Sequence, residues 1–253
     1  MTGWKIGIIG GSGLYDVEGV EDGKWLSQTS PWGEPSDAFF TGRVGHAEVV
    51  FLPRHGRGHR ISPDQLNARA NIDCLKRLGV TDVLAISSVG SLAEERAPGT
   101  FTIIDQFIDR TRQRPSSFFG TGMVAHVSMA DPVCERLSGL AADAAEAAGA
   151  TVHRGGTYLA MEGPQFSSRA ESRLYRQWGC DVIGMTAMPE ARLAREAELP
   201  YALVGMITDY DCWREKEAAV DVAQVIAQLS DNAQKARALV IEMLKALPEE
   251  RVP

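Results

Sequence analysis

Cysteine is scarce and scattered in this chain: Cys74, Cys134, Cys180 and Cys212 form no C-x-x-C pair, which excludes the paired-thiol spacing of a zinc ribbon or a dithiol redox motif. Reduced thiols in a cytoplasmic protein are the simplest account. Long apolar runs are missing as well. No segment resembles a signal peptide or a membrane span, so no membrane association is expected. Positive charge is in deficit, with 26 Lys and Arg against 33 Asp and Glu, a net charge of −7 and a pI near 5.3. That balance argues against a surface that wraps nucleic acid, although a local basic cluster can still hold a small anion. Internal repeats and low-complexity tracts are absent too. What is there is 253 residues with 44% apolar content, enough core for one large α/β domain or two small ones.

The apolar runs end repeatedly in small, hydroxylic or charged residues. Trp4 to Ile9 reads as a strand running into Gly10-Gly11-Ser12-Gly13-Leu14. Glycine there lets the backbone approach an anion closely, and Ser12 offers a hydroxyl. A dinucleotide fingerprint G-x-G-x-x-G fails, because counting from Gly11 its last position is Asp16 and no long helical pattern follows; this disfavours a nucleotide-dependent dehydrogenase. The strand Glu48 to Pro53 ends in Arg54-His55-Gly56-Arg57-Gly58-His59-Arg60, a local positive field whose forked guanidinium donors suit phosphate. His55 and His59 lack the Glu of H-E-x-x-H and sit among glycines, so no metal is expected. A helical pattern over Asn67 to Leu78 closes at Gly79, and the strand Val80 to Ile86 runs into Ser87-Ser88-Val89-Gly90-Ser91, read as a hydroxyl-rich turn. Open α/β sheets place ligands at such carboxyl ends.

Farther on, Phe101 to Phe107 is strand-like and Gln113 to Gly122 is a loop, followed by a lone His126 to which its neighbours assign no role. Pro132 to Ala148 carries an Ala-rich helix. The strand Gly155 to Met161 stops at Gly163-Pro164, and Ser167 or Ser168 caps a helix over Arg169 to Trp178. Phe166 is left at a loop tip, where it either stacks on a heterocycle or staples the helix start. Val182-Ile183-Gly184 exits through Met185-Thr186 towards a helix from Glu190 to Glu198, with Met185 suited to a core. The run Tyr201 to Ile207 leads into Thr208-Asp209-Tyr210-Asp211-Cys212-Trp213. Strand alternation would aim Asp209 and Asp211 the same way. Crowding two carboxylates raises one pKa and keeps a proton available for a leaving group; two solvated acids at a strand end are the alternative that these six residues leave open. A last helix, Ala218 to Leu247, carries Val222, Val225, Ile226 and Leu229 on one apolar face expected to lie on the sheet, and Pro248 to Pro253 reads as a loose tail.

Six segments occur in the order seen in the 5′-methylthioadenosine phosphorylases of the purine nucleoside phosphorylase superfamily: Gly10 to Leu14, Arg54-His55-Gly56, Gly90-Ser91-Leu92, Glu162 to Arg169, Gly184-Met185-Thr186 with Pro189-Glu190, and Thr208 to Trp213. The chain resembles that family along nearly its whole length. The resemblance implies a single α/β domain over residues 1–253, a twisted mixed β-sheet flanked by helices, that cleaves an N-glycosidic bond with inorganic phosphate as co-substrate and without metal or organic cofactor. By similarity Ser12, Arg54, His55, Ser87 and Thr186 hold phosphate with help from the Ser88 backbone. Ser12 and Ser87 stand where many relatives carry Thr, and both keep the hydroxyl.

Phe166 resembles the aromatic against the base, Met185 the residue bordering the ribose, and Asp209, with Asp211, the catalytic acids. Val222 and Val225 match an apolar pocket for a 5′-methylthio group, and His126 matches a residue that a neighbouring subunit contributes, which makes a homotrimer the expected assembly. The 6-oxopurine branch typically has Asn where this chain has Asp209 and Glu where it has Ser167, so adenine is the expected base. The expectation is therefore a 5′-methylthioadenosine phosphorylase of methionine and purine salvage; the alternatives are a methylthioinosine or 6-oxopurine nucleoside phosphorylase and a nucleoside-binding module without turnover.

Overall fold

The computed structural model describes residues 3–11, 14, 19–214 and 222–251, the last group with side chains from residue 228 onward. In chain order its strands are β1 (Lys5–Gly10), β2 (Glu21–Leu26), β3 (Phe39–Val44), β4 (Ala47–Pro53), β5 (Asp82–Ser91), β6 (Phe101–Ile104), β7 (Gln106–Asp109), β8 (Val152–Arg154), β9 (Thr157–Ala160), β10 (Val182–Gly184) and β11 (Tyr201–Asp209). The helices are α1 (Ala68–Arg77), α2 (Glu135–Ala147), α3 (Arg169–Gln177), α4 (Ala187–Glu196) and α5 (Val222–Ala246).

β4, β1, β5 and β11 run parallel side by side, with Ile8 opposite both Phe51 and Leu84, and Leu203 opposite Ala85. Strands buried on both faces need apolar side chains on both, which is why these segments read as continuous apolar runs instead of alternating ones. Ile8, Phe51, Leu84 and Ile86 face the α2 and α5 layer with Leu137, Leu239 and Val240. Ile9, Val50, Val83 and Ala85 face the α1 and α4 layer with Ile72, Leu75, Ala191 and Leu193. Antiparallel β3 and β2 extend one edge, and β11 passes through antiparallel β6 to β8 at the other. The sheet is mixed, and helices cover both faces.

One branch positions the site. The far end of β5 pairs with β10 in the antiparallel sense, Gly90 opposite Ile183, while β9 and β7 continue parallel beyond β10. The carboxyl ends of β1, β4 and β11 thus converge with the exit of β10 around the second half of β5. Ser87 to Ser91 is therefore strand and not turn: Ser87 pairs with Gly205, Ser88 with Met206, Gly90 with Asp209 and Ser91 with Val182. Partners on two strands keep this small-residue stretch extended. The expected strand Phe101 to Phe107 likewise divides in two at Asp105, because β6 pairs with β11 and β7 with β9.

α1 and α3 start and stop where local chemistry dictates. Asn67 caps Ala70 N, Ser168 forms a capping box with Glu171, and Gly79 and Gly179 take positive φ past the last turns. α4 begins three residues before the expected Glu190. The part of the last helix before Val222 lies outside the described residues. Among those residues no helix is long and apolar enough to cross a membrane.

The tail departs from expectation, because Pro248 and Arg251 are tied to the core. Pro248 O accepts from Trp4 Nε1 at 2.6 Å, and Arg251 Nε reaches Asp82 Oδ2 at 2.6 Å. Asp82 is fully buried and also holds Arg136 Nη2 at 2.6 Å, so two arginines pair with one buried side chain that would be costly to leave without partners. Arg251→Ala should cost about 1–3 kcal/mol, lowering Tm by several degrees at about 2–4 °C per kcal/mol. Thermal unfolding followed by circular dichroism would read this; an unchanged Tm would mean that the tail adds nothing to stability.

Candidate active site

Where the strand ends converge lies a cavity of about 310 Å³, bordered among others by Gly11, Arg54, His55, Ser87, Ser88, Met185, Thr186, Phe166, Asp209 and Asp211. Its two chemical groups are spaced by β5. Thr186 sits beside Ser87, with Oγ1 and Oγ 3.0 Å apart, and Asp209 sits beside Gly90. Three residue steps along the strand separate Ser87 from Gly90, roughly 10 Å.

Arg54 leaves β4 into the sheet's interior and is 1% exposed. Its Nε and Nη2 donate to Glu190 Oε2 and Oε1, both at 3.1 Å, Nη1 to Ile86 O at 2.8 Å and Nη2 to Ile9 O at 3.3 Å. A guanidinium has five N–H donors, so one on Nη1 is left over at the cavity wall. Burial opposes the charge, but the Glu190 carboxylate outweighs it and holds the Arg54 pKa above its ordinary value. Tyr201 donates to the same carboxylate at 2.8 Å.

His55 borders the cavity with His59 stacked on it, ring centroids 4.3 Å apart and nearly parallel. Desolvation, aided by the positive charge of Arg54, pulls the His55 pKa down to about 4. The ring is neutral near pH 7, and because Nδ1 lies 2.8 Å from the Ile61 carbonyl it carries the hydrogen, leaving Nε2 as an acceptor.

Thr186 is fixed from behind by Tyr158, whose fully buried hydroxyl accepts from Thr186 N at 3.3 Å. Gly184 permits this approach: a Cβ there would lie 2.1 Å from the Tyr158 oxygen.

At the other group, Asp209 Oδ2 lies 2.8 Å from Thr208 Oγ1, and Oδ1 accepts from Asp211 N at 2.9 Å. Burial first, and the charge of Asp211 second, raise the Asp209 pKa against the opposing Thr208 hydrogen bond. Both acids border the cavity, but not by strand alternation. β11 ends at Asp209, and Asp211 reaches the site through a turn in which its own φ is +28°. Ser167 Oγ lies 3.0 and 2.8 Å from the two oxygens of Asp211 and holds it in place, while Ser168 takes the helix-capping task.

Phe166 borders the cavity at 76% exposure, a ring at the mouth and not a buried staple. Met185 lines the cavity and is not core. Ser12 and the side chains of Val222 and Val225 lie outside the described residues. Farther along α5, Leu229 and Ala233 border the cavity, so this part of the helix serves the site as well as the sheet. His126 is exposed and does not border the cavity of its own chain.

Residues 5–245 match the family profile described as the phosphorylase superfamily. A relative from Cereibacter sphaeroides, S-methyl-5′-thioadenosine phosphorylase, is 59% identical over 97% of this chain and 85% of its own length. The chain belongs to this phosphorylase family. A crystal structure of methylthioadenosine phosphorylase from an Antarctic soil metagenomic library superposes with TM-score 0.92 at 45% identity, covering 97% of this chain and 86% of that one. The Schistosoma mansoni methylthioadenosine phosphorylase in complex with adenine does so with TM-score 0.91 at 38% identity, covering 96% and 91%.

In this phosphorylase one residue that the sequence reading passed over as loop, Arg114, braces the cavity wall that carries Met185. Its side chain is 4% exposed and ion-pairs with Glu162 at 2.9 Å. Nη1 donates to the Met185 and Met188 carbonyls at 2.6 and 2.7 Å, and Nη2 donates to Glu162 O. The guanidinium fork thus ties the exit of β9 to the exit of β10. No local signal marks such an arginine, because its carbonyl acceptors are scattered along the chain. Removing it should let Met185 and Phe166 shift. Since about 1 Å of misplacement can cost on the order of 100-fold, Arg114→Ala should raise the nucleoside KM at least about tenfold, with partial rescue by added guanidinium. An unchanged KM in steady-state assays would remove the brace.

Proposed function

We propose that this phosphorylase cleaves S-methyl-5′-thioadenosine with inorganic phosphate, giving adenine and 5-methylthioribose 1-phosphate. The observation that carries this reading is the single cavity in which an anion cradle around Arg54 and Thr186 faces, along β5, a carboxyl whose pKa is raised. The names borne by its relatives support the same substrate.

The chemistry follows from where charge develops. As the C1′–N9 bond stretches, the sugar becomes oxocarbenium-like and the bonding pair moves into the purine. Protonated Asp209 then donates to N7 and stabilises the departing base. Phosphate oxygen forms the new bond to C1′ from the opposite face. The remaining N–H of Arg54, the hydroxyls of Ser87, Thr186 and Ser12, and the Ser88 backbone align it. Neutral His55 accepts through Nε2 from a P–OH of hydrogen phosphate. The residues perform these steps without a metal or organic cofactor.

Adenine is the base that these groups suit. Asp209 accepts from the 6-amino group as well as donating to N7, and Asp211, held by Ser167, adds a second acceptor. A glutamate at position 167 would place another carboxylate against Asp211. For the 5′ end, Leu229 and Ala233 continue the apolar surface assigned to Val222 and Val225. The homotrimer belongs to the same proposal: His126, exposed beside Met123, Val124 and Val127, can complete a site only on a neighbouring copy. The cytoplasm is the proposed compartment, in keeping with four free cysteines.

Phosphorolysis of methylthioadenosine, methylthioinosine, adenosine and inosine, each with and without phosphate, tests the reading. Methylthioadenosine should lead and turnover should require phosphate; a preference for the 6-oxo substrates would instead favour the methylthioinosine alternative. Asp209→Asn should lower kcat for methylthioadenosine by about 10²–10⁴, and near-normal turnover would remove the acid role. In Arg54→Ala the phosphate dependence should collapse while adenine still binds. Unaltered phosphate saturation in that variant would count against the cradle.

A further inference from the structure

The Thr208 hydroxyl has more neighbours than it has hydrogens. Its Oγ1 lies 2.8 Å from Asp209 Oδ2 and 3.2 Å from the Val89 carbonyl oxygen, and the residue is 8% exposed. A hydroxyl donates once, and a carbonyl can only accept. While Asp209 is protonated and keeps that proton for N7, its Oδ2 is an uncharged and weaker acceptor, so the Thr208 hydrogen can serve Val89 O. Once Asp209 is a carboxylate, the same hydrogen gains more by turning to Oδ2, because hydrogen bonds to charged groups are the stronger ones. The backbone locates this switch. Ile207 pairs with Val89 and Asp209 with Gly90, so the register shifts across Thr208 and leaves it without an opposite residue on β5.

We propose that Thr208 is a positioning residue that acts through Asp209: its single hydroxyl hydrogen rests on the Val89 carbonyl while the acid holds its proton and rotates to Asp209 Oδ2 as that proton leaves for the base. Thr208 itself transfers nothing. It stabilises the carboxylate that proton donation creates, so Asp209 remains a strong enough acid inside a site whose burial disfavours its charge. This inference rests on Asp209 being the general acid.

Among the described residues that border the cavity, the other charged and titratable groups are Asp211, Arg54, His55 and His59. β5 presents Val89 and Gly90, β10 Ile183, and α5 Leu229 and Ala233, none of them ionisable. On the turn itself, Cys212 donates to Ser167 O and the Tyr210 hydroxyl to Glu94 O.

The test compares kcat against pH for wild type, Thr208→Val, Thr208→Ser and Asp209→Asn, using the full-length enzyme with saturating methylthioadenosine and phosphate. Losing a donor to the carboxylate raises the Asp209 pKa, so the descending limb at high pH should move up by about one unit in Thr208→Val. At neutral pH kcat should fall about tenfold, because the weaker acid donates less readily. Thr208→Ser should restore both. General damage to the site would lower kcat without moving the limb upward. Should Thr208→Val turn over too slowly to assay, the pH dependence of adenine binding by titration calorimetry reads the same carboxyl. A limb that stays put in Thr208→Val, or Thr208→Ser behaving like Thr208→Val, overturns the proposal. Asp209→Asn separates the two levels. If it keeps a wild-type rate and limb, the acid assignment itself fails; if it abolishes turnover while Thr208→Val leaves the limb in place, only the switch fails.

Discussion

The pairing of Arg54 with Glu190 is the constraint on which the site's architecture depends. Both side chains are almost wholly shielded from water, and an isolated charge at either position would cost several kcal/mol. The two-pronged bond removes that cost, and it also fixes geometry. Arg54 comes from the end of β4, touches the carbonyls of Ile9 on β1 and Ile86 on β5, and is gripped from α4. Three strands and one helix are therefore held in register by one guanidinium. A donor arranged in this way is already oriented before an anion arrives, so little reorganisation is needed on binding. Tyr201, at the start of β11, adds a hydrogen bond to Glu190 and connects the pair to the strand that delivers Asp209.

The opposite group in the cavity obeys the reverse logic. Arg54 keeps its charge in a buried place because a counter-charge is supplied; Asp209 has Asp211 for a neighbour, so burial and repulsion both favour its neutral form. A single strand accommodates the two demands. Serine at Ser87 supplies a hydroxyl near the cradle, and glycine at Gly90 leaves room for the Asp209 carboxylate, since a Cβ there would come within 3.2 Å of Oδ1. Along β5 the side chain changes from the Ser87 hydroxyl to none at Gly90, and the cavity lining changes from a buried cation to paired carboxyls.

Much of this was legible in the chain. The apolar runs of β1, β4, β5 and β11 announce a doubly covered sheet because burial on both faces demands it, and the helix ends at Gly79 and Gly179 follow from glycine's tolerance of positive φ. Motif order singled out Arg54, His55, Thr186 and Asp209, and the fold brings all four to one cavity, each at or just past a strand's carboxyl end. What was not legible depends on long-range partners. Ser87 to Ser91 resembles a turn in isolation, and only pairing with β10 and β11 makes it strand. Arg114 looks like any loop arginine until the carbonyls of Glu162, Met185 and Met188 surround it. The tail at Pro248 looks loose until Trp4 and Asp82, both far away in the sequence, are seen to hold it. The route of Asp211 into the site was misjudged for a related reason: alternation is a property of strands, and the strand stops two residues earlier.

The two ends of the cavity also reinforce each other. A phosphate bound at Arg54 brings more negative charge than the one remaining guanidinium hydrogen and a neutral His55 can cancel, and the cavity walls of Ile86, Met185 and Leu229 screen it poorly. Under the proposed function its field would act on Asp209 in the same direction as burial, against ionisation of the acid. In the proposed reaction, a bound nucleophile would therefore favour the protonation state that the leaving group requires. The same negative charge stabilises a cationic sugar lying between the two ends. Proton, cation and anion would then line up in an order that lowers the electrostatic energy of bond cleavage, with β5 as the ruler that sets their spacing.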